Sequence, residues 1–336
     1  SVDRVMRLAE ELDVGFEMIM EAWAGEFPWN DRAAMTDELE RLWLGYLIAR
    51  YDAFNSVYLW TIMNEYEYYP DGKRDPKKRP ETWAAATTRW MKSLAPHGHP
   101  FAVHTGPPMP PFAERFAFDL DAIDVIVYQL WGTTGESDAW LAAGIEEGIQ
   151  ASLAGWPGSA VFMEYGYERD PEVDCLPGSH RHLFVDHTRR GAWRGAMCGL
   201  GVGNGFDWTW GPVMIVDRDM PGVAQLALVK RFFTDVVRFE TLRPAPELAT
   251  ACGDAAPGEK PLFMADEGYH QIVVYLPVGG TVSLDVVQDR EYEASWFDPR
   301  TGDVMPATPS DGKFEAPATG APHPDDWVLV VKCSGR

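Results

Sequence analysis

The sequence predicts an α/β fold of the TIM (β/α)8-barrel type, followed by a small all-β domain. Three observations carry this. Residues 1–243 alternate short apolar runs with helical patterns. Chemically active residues gather at the C-terminal ends of those runs, where a barrel builds its active face. After Arg243-Pro-Ala-Pro246 the pattern changes to period two, with Gly/Pro turns between segments.

In order, the opening Ser1–Gly15 has the spacing of an amphipathic helix and is not a signal peptide. Strands are predicted at 14–21, 56–65, 100–105, 124–131, 160–165 and 205–210. Helices are predicted between them, among them 35–51, 83–94 and 187–200. Gly199-Leu-Gly-Val-Gly203 follows a helix and precedes a strand. A dinucleotide fingerprint needs the reverse order, so these glycines predict a tight αβ turn. The Asp71–Pro80 and Pro107–Pro111 stretches read as loops over the active face. Six strands are visible where a barrel needs eight, and a helical pattern comes directly before the first. The expectation is that the first two βα units, on the order of 60 residues, are not in this chain. An oligomer or a second chain could complete the barrel. A divergent open barrel is the alternative, at the cost of long unpaired edges. Localisation stays open, because a signal peptide would precede the missing strands.

The period-two strands fall at 261–265, 271–276, 281–287, 291–297 and 327–331, separated by turns such as Pro277–Gly280 and Asp298–Gly302. They predict a small sandwich. The domains are therefore 1–243, a catalytic barrel, and 244–336, a β-sandwich.

Composition narrows the function. The formal charge is −22, from 51 Asp and Glu against 29 Lys and Arg. That balance repels phosphate backbones and argues against a nucleic-acid partner. No run approaches the roughly 18 apolar residues of a membrane helix. Fourteen Trp and twelve Tyr supply flat faces with a polar edge, which suit sugar rings, although most belong in a core. The four cysteines match no metal or redox spacing. Free thiols are the expected state, with Cys252 and Cys333 the pair that could bridge.

Two strand-end carboxyls carry the chemistry. Asn64-Glu65 closes the second strand and Glu164 the fifth, 99 residues later. At roughly 31 residues per βα unit that is three units, which sets the two across the barrel mouth from each other. Glycoside cleavage needs one carboxyl to protonate the departing oxygen and another on the opposite face of the sugar, about 5–5.5 Å away in retaining enzymes. Glu65 is expected as acid/base, with a raised pKa, and Glu164 as nucleophile. Tyr128 is expected to donate to Glu164, and Asn64 to bond substrate or carboxylate. Glu21, Trp23, His104, Gln129, Trp131, Trp208 and Trp210 end other strands and are candidate substrate contacts. Each alone could equally be core. His180, His182 and His187 resemble a metal cluster but lack a carboxylate or thiolate at ligand spacing, so no metal or cofactor is expected.

The Asn-Glu strand end, the later Glu strand end and the Trp-bearing last strand resemble the clan A glycoside hydrolases. The stretches Tyr46–Trp60, Val161–Glu168, Arg190–Met197, Tyr275–Gly280 and Trp296–Gly302 are similar to the bacterial apiosidase-like glycosidase family. That family carries a C-terminal domain labelled collagen-binding. Where it has Gly-Glu-Pro-x-Tyr-Glu, this chain has Met-Glu-Tyr-Gly-Tyr-Glu, which leaves Glu168 as a reserve for Glu164. The resemblance implies a retaining, exo-acting glycosidase that needs no cofactor and takes a carbohydrate substrate. The competing class is a non-catalytic carbohydrate-binding or scaffolding protein on a barrel remnant.

Overall fold

The computed structural model describes residues 2–21, 37–69, 79–106, 109–130, 141–165, 185–203, 221–251, 255–256, 258–287, 290–318 and 325–333. Six strands form one sheet in chain order: β1 (Phe16–Ile19), β2 (Val57–Thr61), β3 (Phe101–Thr105), β4 (Val125–Leu130), β5 (Ser159–Tyr165) and β6 (Gly201–Val202). The pairs β1/β2, β2/β3 and β3/β4 are parallel. Helices Asp37–Tyr51 and Pro80–Lys92 cross between the first three strands. Every residue of β3 and β4 is buried, which is why these strands read as continuous apolar runs rather than alternating ones. The predicted strand at 205–210 lies outside the described residues.

The chain divides into two compact units, Ser1–Gln129 with Ala151–Val161, and Leu130–Gln150 with Phe162–Arg336. In the first unit, strand alternation sorts side chains to two faces. Trp60 and Phe101 stack at 6.5 Å, and the Trp60 indole donates to Asp52 at the end of helix Asp37–Tyr51, which marks the helix-facing side. Thr61 turns to the other side and donates to Glu17 at 2.5 Å. Burial holds the Glu17 carboxyl above its ordinary value, and the Thr61 bond opposes that.

In the second unit, helix Val185–Met197 has two working faces. Its Gly191 and Gly195 lie against the Tyr165 and Phe162 rings of β5, where a Cβ on Gly191 would come within 2.4 Å of Tyr165. Those rings stack on each other at 4.6 Å, and the Tyr165 hydroxyl donates to the Thr188 carbonyl. Residues three apart would face opposite ways on a regular strand, so β5 departs from strict alternation here. The other face presents Trp193, which stacks on Tyr275 at 5.8 Å and meets Phe232 and Phe297. Beyond the helix, Gly199 takes a φ of +81 and makes the expected αβ turn, but the turn is shorter than the glycine run suggests, since Gly201–Val202 already forms β6.

The C-terminal strands are β7 (Arg243–Pro244), β8 (Leu262–Ala265), β9 (Gln271–Leu276), β10 (Thr281–Ser283), β11 (Tyr292–Phe297), β12 (Val304–Pro306), β13 (Lys313–Glu315) and β14 (Trp327–Cys333). Six form an antiparallel sheet in the order β12-β11-β14-β9-β8-β7, and β10 pairs with β13. Val282 and Phe314 of that small ladder share a core with Phe263, Ile272, Val274, Trp296, Trp327 and Leu329 of the large sheet. The predicted strand at 281–287 is shorter than expected. It stops at Ser283, and Asp285–Val287 forms a 3-10 turn. β7, β12 and β13 are too short to show a period in sequence. Among the described residues Cys198 and Cys333 are free thiols, and Cys252 lies outside them.

Candidate active site

In the first unit, the ends of β1 to β4 bring Glu21, Asn64, Glu65, His104 and Gln129 to the carboxyl edge of the sheet. The Asn64 amide donates to the Glu21 carbonyl at 2.9 Å, which ties the end of β2 to that of β1. Glu21 is 2% exposed. Glu65 then takes a left-handed backbone, φ 51 and ψ 56, and a 3-10 turn follows at Tyr66–Tyr68. A non-glycine residue there costs of order 1–3 kcal/mol, so the surroundings must impose it. Two anchors do so. The Tyr66 ring is fully buried against Phe112 and Phe116. The buried Glu67 carboxylate accepts from the Thr105 hydroxyl and, at 3.5 Å, from the Gly106 amide at the end of β3. Sequence reasoning missed Glu67. An acidic residue two places after a strand-end carboxyl was the available signal.

The Glu65 side chain is buried, and Gln129 Nε2 donates to its Oε1 at 2.9 Å. Gln129 was expected to face a ligand; its amide is given to Glu65. Tyr128 departs from its expected role. Alternation along β4 turns it away from Gln129, and its hydroxyl bonds Ser152 Oγ at 2.9 Å beside the edge of Phe112. Tyr128 therefore belongs to the packing of sheet against helix rather than to the site, and burial pushes its hydroxyl pKa up. His104 is 3% exposed, and neither ring nitrogen has a hydrogen-bond partner among the described residues. Burial pulls its pKa down to about 4, so the imidazole is neutral at physiological pH. Asn64 Oδ1 is likewise buried without such a partner among the described residues.

Glu164 lies in the second unit, one residue before the end of β5, and is half-buried. The break in alternation between Phe162 and Tyr165 means that strand period alone does not assign its face. Trp23, Trp131, Trp208 and Trp210, the reserve Glu168, and the His180 and His182 pair lie outside the described residues. For His187 only its place in helix Val185–Met197 is described.

A glycoside hydrolase family 5 protein from Bacteroides vulgatus ATCC 8482 superposes with a TM-score of 0.75 at 16% identity, over 98% of this chain and 73% of that one. A second solved structure, titled a glycoside hydrolase, superposes at 0.72 and 16% identity over 100% and 77%. An Anoxybacillus alpha-amylase superposes at 0.52 and 10% over 99% and 73%. At these identities the likeness is one of fold. The fold is a parallel barrel type shared with glycoside hydrolases, with an antiparallel sheet region at the C-terminus. Residues 253–332 match the family described as "Putative collagen-binding domain of a collagenase". No curated protein sequence matches the chain.

Proposed function

We propose that this chain is the catalytic part of a retaining glycoside hydrolase, with Glu65 as acid/base and Glu164 as nucleophile. The observation that carries the reading is Glu65 itself. It is a buried carboxyl in the left-handed turn that follows β2, hydrogen-bonded by Gln129, in a fold shared with glycoside hydrolases. Strained backbone around a buried carboxyl is expected of a functional position.

In the first step Glu65 gives its proton to the leaving oxygen while Glu164 attacks the anomeric carbon. In the second, Glu65 takes a proton from water, which releases the sugar from Glu164. Asn64 Oδ1 and the neutral His104 supply hydrogen-bonding atoms suited to ring hydroxyls, and Glu21 lies at the adjoining strand end. The Trp residues 23, 131, 208 and 210 are proposed as ring-stacking contacts. Exo action, kinship with the apiosidase-like glycosidases and a division into a barrel (1–243) and a sandwich (244–336) belong to the same proposal.

Glu65→Gln and Glu164→Gln are each expected to reduce turnover of an activated aryl glycoside by about 10³-fold or more, the scale of a lost catalytic group. Azide should rescue alanine at one of the two positions only. Wild-type rates in both variants reject the assignment. Sugar binding without turnover by the wild-type chain would favour a non-catalytic carbohydrate-binding protein.

A further inference from the structure

We propose that Gln129 is a positioning residue that decides which oxygen of Glu65 carries the transferred proton. The inference rests on the acid/base assignment of Glu65 made above. Gln129 Nε2 donates to Glu65 Oε1 at 2.9 Å, and both side chains are buried. The bond reaches from β4 to the end of β2 across the intervening β3. It is therefore a feature of the tertiary fold and not of one turn.

A protonated carboxyl has one carbonyl oxygen and one hydroxyl oxygen, and the carbonyl oxygen is the better acceptor. A primary amide nitrogen has only hydrogens to offer. With Oε1 engaged by Gln129, Oε1 is the carbonyl oxygen of the acid form and the proton sits on Oε2. In the first step the Oε2–H bond breaks, its proton goes to the glycosidic oxygen, and the electron pair of the breaking C–O bond goes to that same oxygen. In the second step Oε2 takes a proton from the attacking water. The proton leaves from and returns to one atom, so the side chain need not rotate between steps.

The donor's neutrality matters as much as its direction. A cation here would hold Glu65 ionised, whereas an amide favours the ionised form only modestly. Among the described residues, the titratable groups at the ends of the neighbouring strands include Glu21 just beyond β1, Glu67 on Glu65's own turn and His104 on β3. His104 stays uncharged, and Tyr128 of β4 bonds Ser152 instead. Glu164 is the proposed negative partner. Gln129 is a neutral donor that steadies Glu65 without adding a positive charge beside it.

The test is Gln129→Met, which keeps length and loses the donor. On an activated aryl glycoside, the basic limb of the kcat/KM profile should move up by about half to one pH unit, because a donor to the ionised form has been removed. kcat should fall about ten- to a hundredfold, with KM within about threefold, as expected when a transition-state contribution is lost. A fall in kcat with the basic limb unmoved overturns the proposal. Should Gln129→Met fail to fold, the wild type carries the test: the Gln129 side-chain amide signals in 1H–15N NMR should titrate with the pKa of the basic limb, and signals that ignore it overturn the proposal. Glu65→Gln separates the two ideas. Wild-type turnover there sinks the acid/base assignment, whereas its loss together with an unmoved limb in Gln129→Met sinks the positioning role alone.

Discussion

His104 illustrates what burial does to a single group. Its pKa of about 4 lies below the ordinary histidine value of 6.5 because burial penalises the charged imidazolium. The unfolded chain takes up this proton as pH falls through 6.5, and the folded chain does so only near 4. The unfolded state thus binds more protons in that window, so His104 destabilises the fold progressively as pH drops from 6.5 to 4. Its full contribution to stability is present above 6.5. The loss should approach about 3 kcal/mol at the acid end. Urea unfolding at pH 7 and pH 4.5, wild type against His104→Gln, should show a steeper acid loss in the wild type; equal losses would refute this. His104 stands on β3 as its apolar run indicates, whereas Asn64 and Glu65, expected to close a strand at 56–65, lie in a turn beyond β2, which ends at Thr61. The difference between Tyr128 and Gln129 was missed because both stood at one strand end, although adjacent strand residues cannot share a face.

At the level of whole elements, helix Val185–Met197 and helix Asp37–Tyr51 make opposite predictions for the same substitution. Gly191 is the point where β5 approaches the helix, and an added Cβ would sit 2.4 Å from the Tyr165 ring. Gly191→Ala should destabilise by about 1–3 kcal/mol, the cost of overpacking. Gly45 lies inside helix Asp37–Tyr51, and an added Cβ would meet Trp90 at an ordinary 3.6 Å. Gly45→Ala should therefore stabilise by about 0.5–1 kcal/mol through helix propensity. Thermal melts of the two variants test the contrast, and a shift of the same sign in both would contradict it. Helix positions were visible from apolar spacing, within a few residues at each end. The close approach at Gly191 was not, because it depends on Phe162 and Tyr165 sharing a face that a regular strand denies them.

Over the second unit as a whole, the C-terminal sheet is joined to helix Val185–Met197 by a buried ion pair. Asp326 is fully buried and accepts from Arg189 Nη2 at 2.8 Å and from the Tyr275 hydroxyl at 3.2 Å. Burial raises the pKa of Tyr275, and the Asp326 charge raises it further. Arg189 also pairs with the more exposed Asp186. Asp326→Ala removes the fully buried partner of Arg189, leaves it only the more exposed Asp186, and should cost about 3–5 kcal/mol. Asp186→Ala should cost no more than about 1 kcal/mol, as at a solvent-screened pair. Denaturant midpoints of both variants give the comparison, and equal losses would show that burial is not what sets the energy.

The amino-acid order alone determined the succession of helices and parallel strands and the switch to antiparallel strands after residue 243. Those features follow from local periodicity and chain spacing. Tertiary structure decided which neighbour of a strand pair faces inward, that Glu65 adopts a left-handed turn pinned by Glu67, and that Gln129 reaches it across an intervening strand. The reason is that side-chain direction at a strand end, and the satisfaction of buried polar groups, depend on residues far apart in sequence whose meeting no local pattern records.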